Sequence, residues 1–258
     1  MDRKEILNIL NALKIVRTSE DFKEILKIFP ELTYKPELEA LLMIPDISLI
    51  DYSDLFEIKQ WLISIKDKIN HKTYKPLIPN NIYHELEETS LLYFIESLEK
   101  VSCLIPNGLV NKFDILISSD LRNGFDPAAM SISLKINSNQ SNFCSEIIHE
   151  IGHLIEASNE SIRKKSFDFL KSRIIDNERI DFKKICRENL LEIIENNNFE
   201  VYRGKFIDPY MGRVYENFHL PLSEVISVGL QAYWLNPTLF LIKDPEHFLL
   251  IEEILKDE

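Results

Sequence analysis

The sequence predicts an α+β protein: a helical N-terminal domain over residues 1–75, then a mixed domain over 76–258. Three observations lead there. Apolar residues recur at three- and four-residue steps as far as about residue 70. A polar segment with two prolines, "HKTYKPLIPNN" at 71–81, then interrupts the pattern. Beyond it the period changes, and "MSISLKI" at 130–136 alternates strictly between apolar and polar side chains.

In chain order, "EILNILNALKIV", "SEDFKEILKIF", "PELEALLMI" and "DLFEIKQWLISIKDKI" read as amphipathic helices, with Ser19 as an N-cap and Pro30, Pro36 and Pro45 at boundaries. "ELEETSLLYFIESLEKV" is a further helix. "KFDILISSD" carries Phe113, Ile115, Leu116 and Ile117, which suits a buried strand. In "MSISLKI", Met130, Ile132, Leu134 and Ile136 share one face, and Ser131, Ser133 and Lys135 the other. That is a half-buried strand, suited to a sheet edge. "NSNQSN" is a turn, and the helix "SEIIHEIGHLIE" (145–156) follows. Residues 160–200 are charge-rich and read as mostly helical; "FEVYRGKFIDPYMGRVYENFHLP" is irregular or strand-like. "LSEVISVGLQAYWL" and "DPEHFLLIEEILK" close the chain as helices, with Pro245 in a first turn, where its missing N–H is harmless.

Composition narrows the function. A net charge of −12 argues against a nucleic-acid backbone as partner. No glycine-rich phosphate loop is present. Apolar runs such as "LLMI" and "FLLI" are far shorter than the roughly 20 residues of a membrane span. "MDRKEILNIL" lacks the apolar core of a secretory leader. Cys103, Cys144 and Cys186 are odd in number and widely spaced, which suits small core residues in a reducing compartment. The expected location is therefore cytoplasmic.

The chemistry concentrates in "SEIIHEIGHLIE", where His149 and His153 flank Glu150 as H-E-x-x-H. Residues four apart on a helix share a face, so both imidazoles can reach one ion. Phe143, Ile147, Ile151 and Leu154 mark the core-facing side; the histidines sit on the polar side with Glu146 and Glu150. Zinc takes neutral nitrogen ligands in a tetrahedron, and a catalytic site adds a third protein ligand and an open position for water. Glu150 is placed to act on that water as general base. His71, His84 and His247 have no partners at ligand spacing and read as structural.

"IIHEIGHLIE" resembles the active-site helix of the zincin metallopeptidases, including the glycine common before the second histidine, and the resemblance extends over about 113–240. Glu156 and Asn159 stand where metzincins carry glycine and a third histidine, so the resemblance implies the gluzincin arrangement, with a glutamate as third ligand. Two glutamates compete. Glu178 in "DNERID" is similar to the signature of thermolysin-like enzymes, though its spacing differs and the serine is missing. Glu224 in "PLSEVISVGLQAYWLNP" looks like the third ligand of anthrax-lethal-factor-like gluzincins, with small Ser227 and Val228 letting its helix approach the first; the C-terminal part also resembles phage-associated peptidase domains. That group carries a tyrosine before the ligand glutamate, hydrogen-bonding the developing oxyanion. Tyr215, nine residues before Glu224, is the candidate; Tyr210 and His219 are the other donors in reach.

The resemblance thus implies a zinc-dependent endopeptidase acting on a polypeptide. His149, His153 and Glu224 hold Zn²⁺, Glu150 is the base, and Tyr215 steadies the oxyanion. The "MSISLKI" edge binds extended substrate by strand addition, and the N-terminal helices recruit a protein partner or pack on the peptidase domain. The alternatives are a peptide-binding or assembly module with a structural or degenerate metal site, and a peptidase toxin or defence effector.

Overall fold

The computed structural model describes residues 79–102, 113–119, 122–135, 143–188, 199–216, 220–235 and 237–256. The expectations for the N-terminal helices, and those for His71, Cys103, Ile136, "NSNQSN" and His219, lie outside the described residues. The described residues fall into two compact units: 237–249 in one, the rest in the other.

The larger unit is built on four strands: β1 (Asn81–His84), β2 (Asp114–Ser118), β3 (Gly124–Asp126) and β4 (Ser131–Lys135). Their order is β1-β2-β4-β3, parallel except for β3, which runs antiparallel to β4. Buried apolar residues set the register. Ile115 faces Ile132 and Ile117 faces Leu134 across β2 and β4, and all four are sealed from solvent. A slip of one residue would turn each of them to the opposite face.

Two expectations about this sheet are corrected. "MSISLKI" is not an edge: β4 lies between β2 and β3, and β3 takes the edge position. With only Phe125 buried among its three residues, β3 gives no alternation to read. The polar segment over 71–81 was expected to be linker or loop, but its last residue, Asn81, opens β1. That strand pairs with β2, but only Ile82 is even half-buried, so apolar periodicity did not announce it.

Helix α1 (Glu88–Ser102) packs on α2 (Phe143–Ser158), partly through an edge-on contact of Phe94 with Phe143 at 5.9 Å. Helix α3 (Glu160–Arg173) follows, capped by Asn159, whose side chain accepts from the N–H groups of Ser161 and Ile162. The expected helical run then stops. Residues Ile174–Asp181 form β5, paired antiparallel with β6 (Glu200–Gly204); the short α4 (Phe182–Glu188) lies between them. β5 is exposed except around Ile180, and its register shifts where Asp176 and Asn177 adopt left-handed backbone (φ 60° and 51°). Asp and Asn tolerate that conformation better than most residues. A charged, irregular strand of this kind has no period-2 signal. A 3₁₀ turn (Pro209–Gly212), the short pair β7 (Val214–Tyr215) and β8 (Leu222–Ser223), and helix α5 (Val225–Leu235) complete the core of this unit.

α2 has no solvated polar side. Glu150, His153 and Glu156 are as buried as its apolar residues, because α5 crosses on that side. The crossing is tight. A Cβ on Gly152 would lie 2.4 Å from Ser227 Cα and 2.7 Å from Ser227 N. Here glycine serves close approach of backbones. Gly152→Ala gains about 1 kcal/mol of helix propensity. The methyl meets fixed backbone, however, and overpacking of this kind costs about 1–3 kcal/mol. The expected outcome is a lower thermal midpoint; an unchanged or higher midpoint would show that the two helices separate freely.

The smaller unit contains α6 (Pro237–Lys243) and the first turn of α7 (Pro245–Lys256). Within it His247 is fully buried, with its ring edge-on to Phe240 at 4.9 Å.

Candidate metal centre

The i,i+4 spacing on α2 brings the rings of His149 and His153 to 5.3 Å, centroid to centroid. Glu224 reaches them from the start of α5. Its carbonyl accepts from Val228 N–H at 3.1 Å, so it is the residue at which the helix begins. A helix N-terminus favours negative charge, which suits a carboxylate there. Ser227 Oγ donates to Glu224 Oε2 at 2.7 Å, and Tyr215 O–H donates to Oε1 at 2.5 Å. Both oxygens of the carboxylate are thus held.

Glu224 Oε2 lies 3.3 Å from His149 Nε2 and 3.3 Å from His153 Nε2. Charge-assisted N–H···O bonds are shorter, about 2.7–2.9 Å. In a tetrahedron with bonds of about 2.0–2.1 Å, ligand atoms stand about 3.3–3.4 Å apart. The observed spacing is that of two ligand pairs around a small ion. Among the described residues, this is the one group of three or more His, Cys, Asp or Glu able to hold a metal ion. Glu178 is exposed on β5 and outside it.

The electrostatics follow from burial. Burial alone would lower the His153 imidazole, but the carboxylates of Glu224, Glu150 and Glu156 raise it to about 9. Burial would raise Glu224, yet the two histidines hold it well below the usual carboxylate range. Glu150 is pushed up by burial, against the attraction of His153 and His149. Its Oε2 and the Nδ1 of His153 are buried without a hydrogen-bond partner. Burial, then the charge of Glu224, raises the Tyr215 and Tyr210 phenols, so both remain protonated donors.

A cavity of 420 Å³ opens on these groups. Glu150, His149 and His153 line it together with Gly124 and Phe125 of β3 and with Tyr210, Arg213 and Tyr215. The strand expected to face the site, "MSISLKI", does not line this cavity; among the described residues the lining strand is β3. Tyr210 Oη lies 3.4 Å from Tyr215 Oη, and Arg213 donates to Tyr210 Oη at 2.8 Å. Arg213 and its aromatic setting were missed in the sequence, since Phe199, Tyr210 and Tyr215 meet around it only on folding.

Glu156 was also missed as part of the site. It is fully buried, accepting from Ser223 N–H at 3.0 Å and from Ser223 Oγ at 2.9 Å. Ser223 Oγ in turn lies 2.7 Å from Ser166 Oγ and accepts from Val225 N–H at 3.2 Å. Glu156 thus ties α2 to the residue preceding Glu224. Its position one turn past His153 was the available signal. Burial raises its carboxyl to about 7, against the hydrogen bond from Ser166. Glu156→Ala would strand the buried Ser223 N–H and hydroxyl. We expect a loss of roughly 2–4 kcal/mol and weaker metal binding, read by chemical unfolding and a metal-competition titration. Unchanged metal affinity would show that the tie does not position Glu224.

No protein-family model, curated protein or solved structure matches the chain.

Proposed function

We propose that this chain is a zinc-dependent peptide hydrolase of gluzincin type, with His149, His153 and Glu224 as metal ligands. One observation carries the reading: Glu224 Oε2 stands at tetrahedral-edge distance from both Nε2 atoms, beside a buried, unpartnered Glu150 on the wall of an open cavity. Two histidines and a carboxylate are the ligand set of catalytic zinc sites, and three protein ligands leave a coordination position open. Bound there, zinc supplies Lewis acidity, polarising a carbonyl and making water acidic enough to lose its proton near neutral pH.

The remaining steps belong to side chains. Glu150 accepts the proton of the attacking water and returns it to the leaving amine. The Tyr215 hydroxyl donates to Glu224 Oε1; in the reaction it is the donor that turns toward an oxyanion. Extended substrate pairs with the side of β3 that no strand among the described residues takes, its other side being paired with β4.

The test has two parts. Purified protein holds about one zinc per chain, and one or more proteins in a cell lysate are cut by the wild type and not by Glu150→Gln. Protein that takes up no zinc, or identical lysate fragments from both, would refute the reading.

A further inference from the structure

We infer that the cavity selects peptides carrying a carboxylate beside the scissile bond, held by Arg213; this rests on the cavity being a peptide site. Arg213 is a fixed guanidinium. It stacks over the rings of Phe199 at 4.0 Å, Tyr215 at 4.4 Å and Tyr210 at 5.6 Å. One N–H goes to Tyr210 Oη. A guanidinium has five donors, and the others have no protein partner among the described residues. No carboxylate pairs with it there, although the chain has 42 acidic residues against 30 basic ones. Arg179, by contrast, is paired with Glu216. A planar fork held on three rings, short of acceptors, is preorganised for bidentate binding of a carboxylate.

Its place defines where that carboxylate lies. Arg213 lines the same cavity as Glu150, His149 and His153. The Tyr215 ring it covers stands edge-on to His153 at 5.7 Å. The anion therefore belongs to a residue flanking the bond to be cut. Arg122, next to β3, lines the same cavity and has no hydrogen bond or ion pair among the described residues. The cavity lining thus carries two guanidinium groups, Arg122 and Arg213, in a chain of net charge −12. The carboxylate can come from an Asp or Glu side chain or from a free C-terminus, and the test separates these.

Zinc-loaded Glu150→Gln protein, in which turnover is blocked, is titrated with short labelled alanine-based peptides with amidated C-termini. A single Glu is moved along the peptide, with Gln and Lys versions at each position, and the neutral peptide is also made with a free C-terminus. We expect one Glu position, or the free C-terminus, to bind about 10- to 100-fold tighter than its neutral counterpart, the range of a charge-assisted pair. A gain at an internal Glu assigns the side chain, and a gain at the free terminus assigns the terminal carboxylate. Adding Arg213→Gln should bring that ratio to about one, each affinity being compared with that of the neutral peptide on the same variant; Arg213→Lys should keep part of the preference. Equal binding of charged and neutral peptides, no binding by any, or a preference that survives Arg213→Gln overturns the inference. Selective binding of a peptide that wild-type protein leaves uncut would instead uphold the carboxylate site and remove the hydrolase reading.

Discussion

Glu150→Gln protein should carry its full zinc complement and hydrolyse peptide about 10²- to 10⁴-fold more slowly, the usual contribution of a positioned general base. The amide keeps the shape of the side chain but cannot accept a proton. Glu150 is only 4 % exposed and its Oε2 has no partner, so the native carboxylate stands partly desolvated at the cavity wall. That predicts a second, opposite effect. Its folded pKa is raised, so in metal-free wild type its charged form weakens the fold as pH rises through that value. Glu150→Gln removes this penalty. Metal-free Glu150→Gln should melt higher than wild type at pH 8, and the gap should close toward pH 4, where the carboxyl is protonated in both folded and unfolded chains. Lost hydrolysis with an equal or higher melting point separates a base from a structural residue. Lost hydrolysis with lost zinc would instead mark Glu150 as part of the metal's own support.

Helix α2 was the most legible part of the sequence, because H-E-x-x-H fixes residue type and helical face together. The strands with buried apolar pairs, β2 and β4, were readable from Ile115, Ile117, Ile132 and Leu134 for the same reason: burial leaves its period in the sequence. β1, β3 and β5 were not, since each buries at most one side chain. Their existence depends on the neighbour they pair with, which local pattern does not encode. The polar side of α2 is buried at Glu150, His153 and Glu156, because the helix whose small Ser227 was read as permitting close approach crosses there at Gly152. Ser227 and Glu224 were nonetheless readable as a pair, a small residue and a carboxylate one turn apart. Glu156 and Arg213 were not, because their partners, Ser223 in one case and three aromatic rings in the other, come from distant stretches of chain.

Glu224→Ala should weaken zinc binding by more than about 100-fold, beyond what loss of an outer-shell partner costs, whereas Glu178→Ala should leave it unchanged. Glu224 meets both imidazoles at 3.3 Å, and Glu178 is exposed on β5. A pH series adds a check that stability alone would not give. In metal-free protein the Glu224 carboxylate helps raise His153 to about 9, so at neutral pH a proton occupies the imidazole that zinc requires. The raised value means that this pairing stabilises the metal-free fold fully below the unfolded pKa of about 6.5 and loses that contribution as pH rises through about 9. Zinc binding runs the other way. Each ion must displace the proton, so apparent affinity should rise about tenfold per unit between pH 6 and 8. In Glu224→Ala the main source of the raised pKa is gone and burial draws the imidazole down, so the residual affinity should be nearly flat over that range. A competition titration at three pH values reads both slopes. A flat wild-type profile, or a Glu178→Ala defect larger than that of Glu224→Ala, would place the third ligand elsewhere.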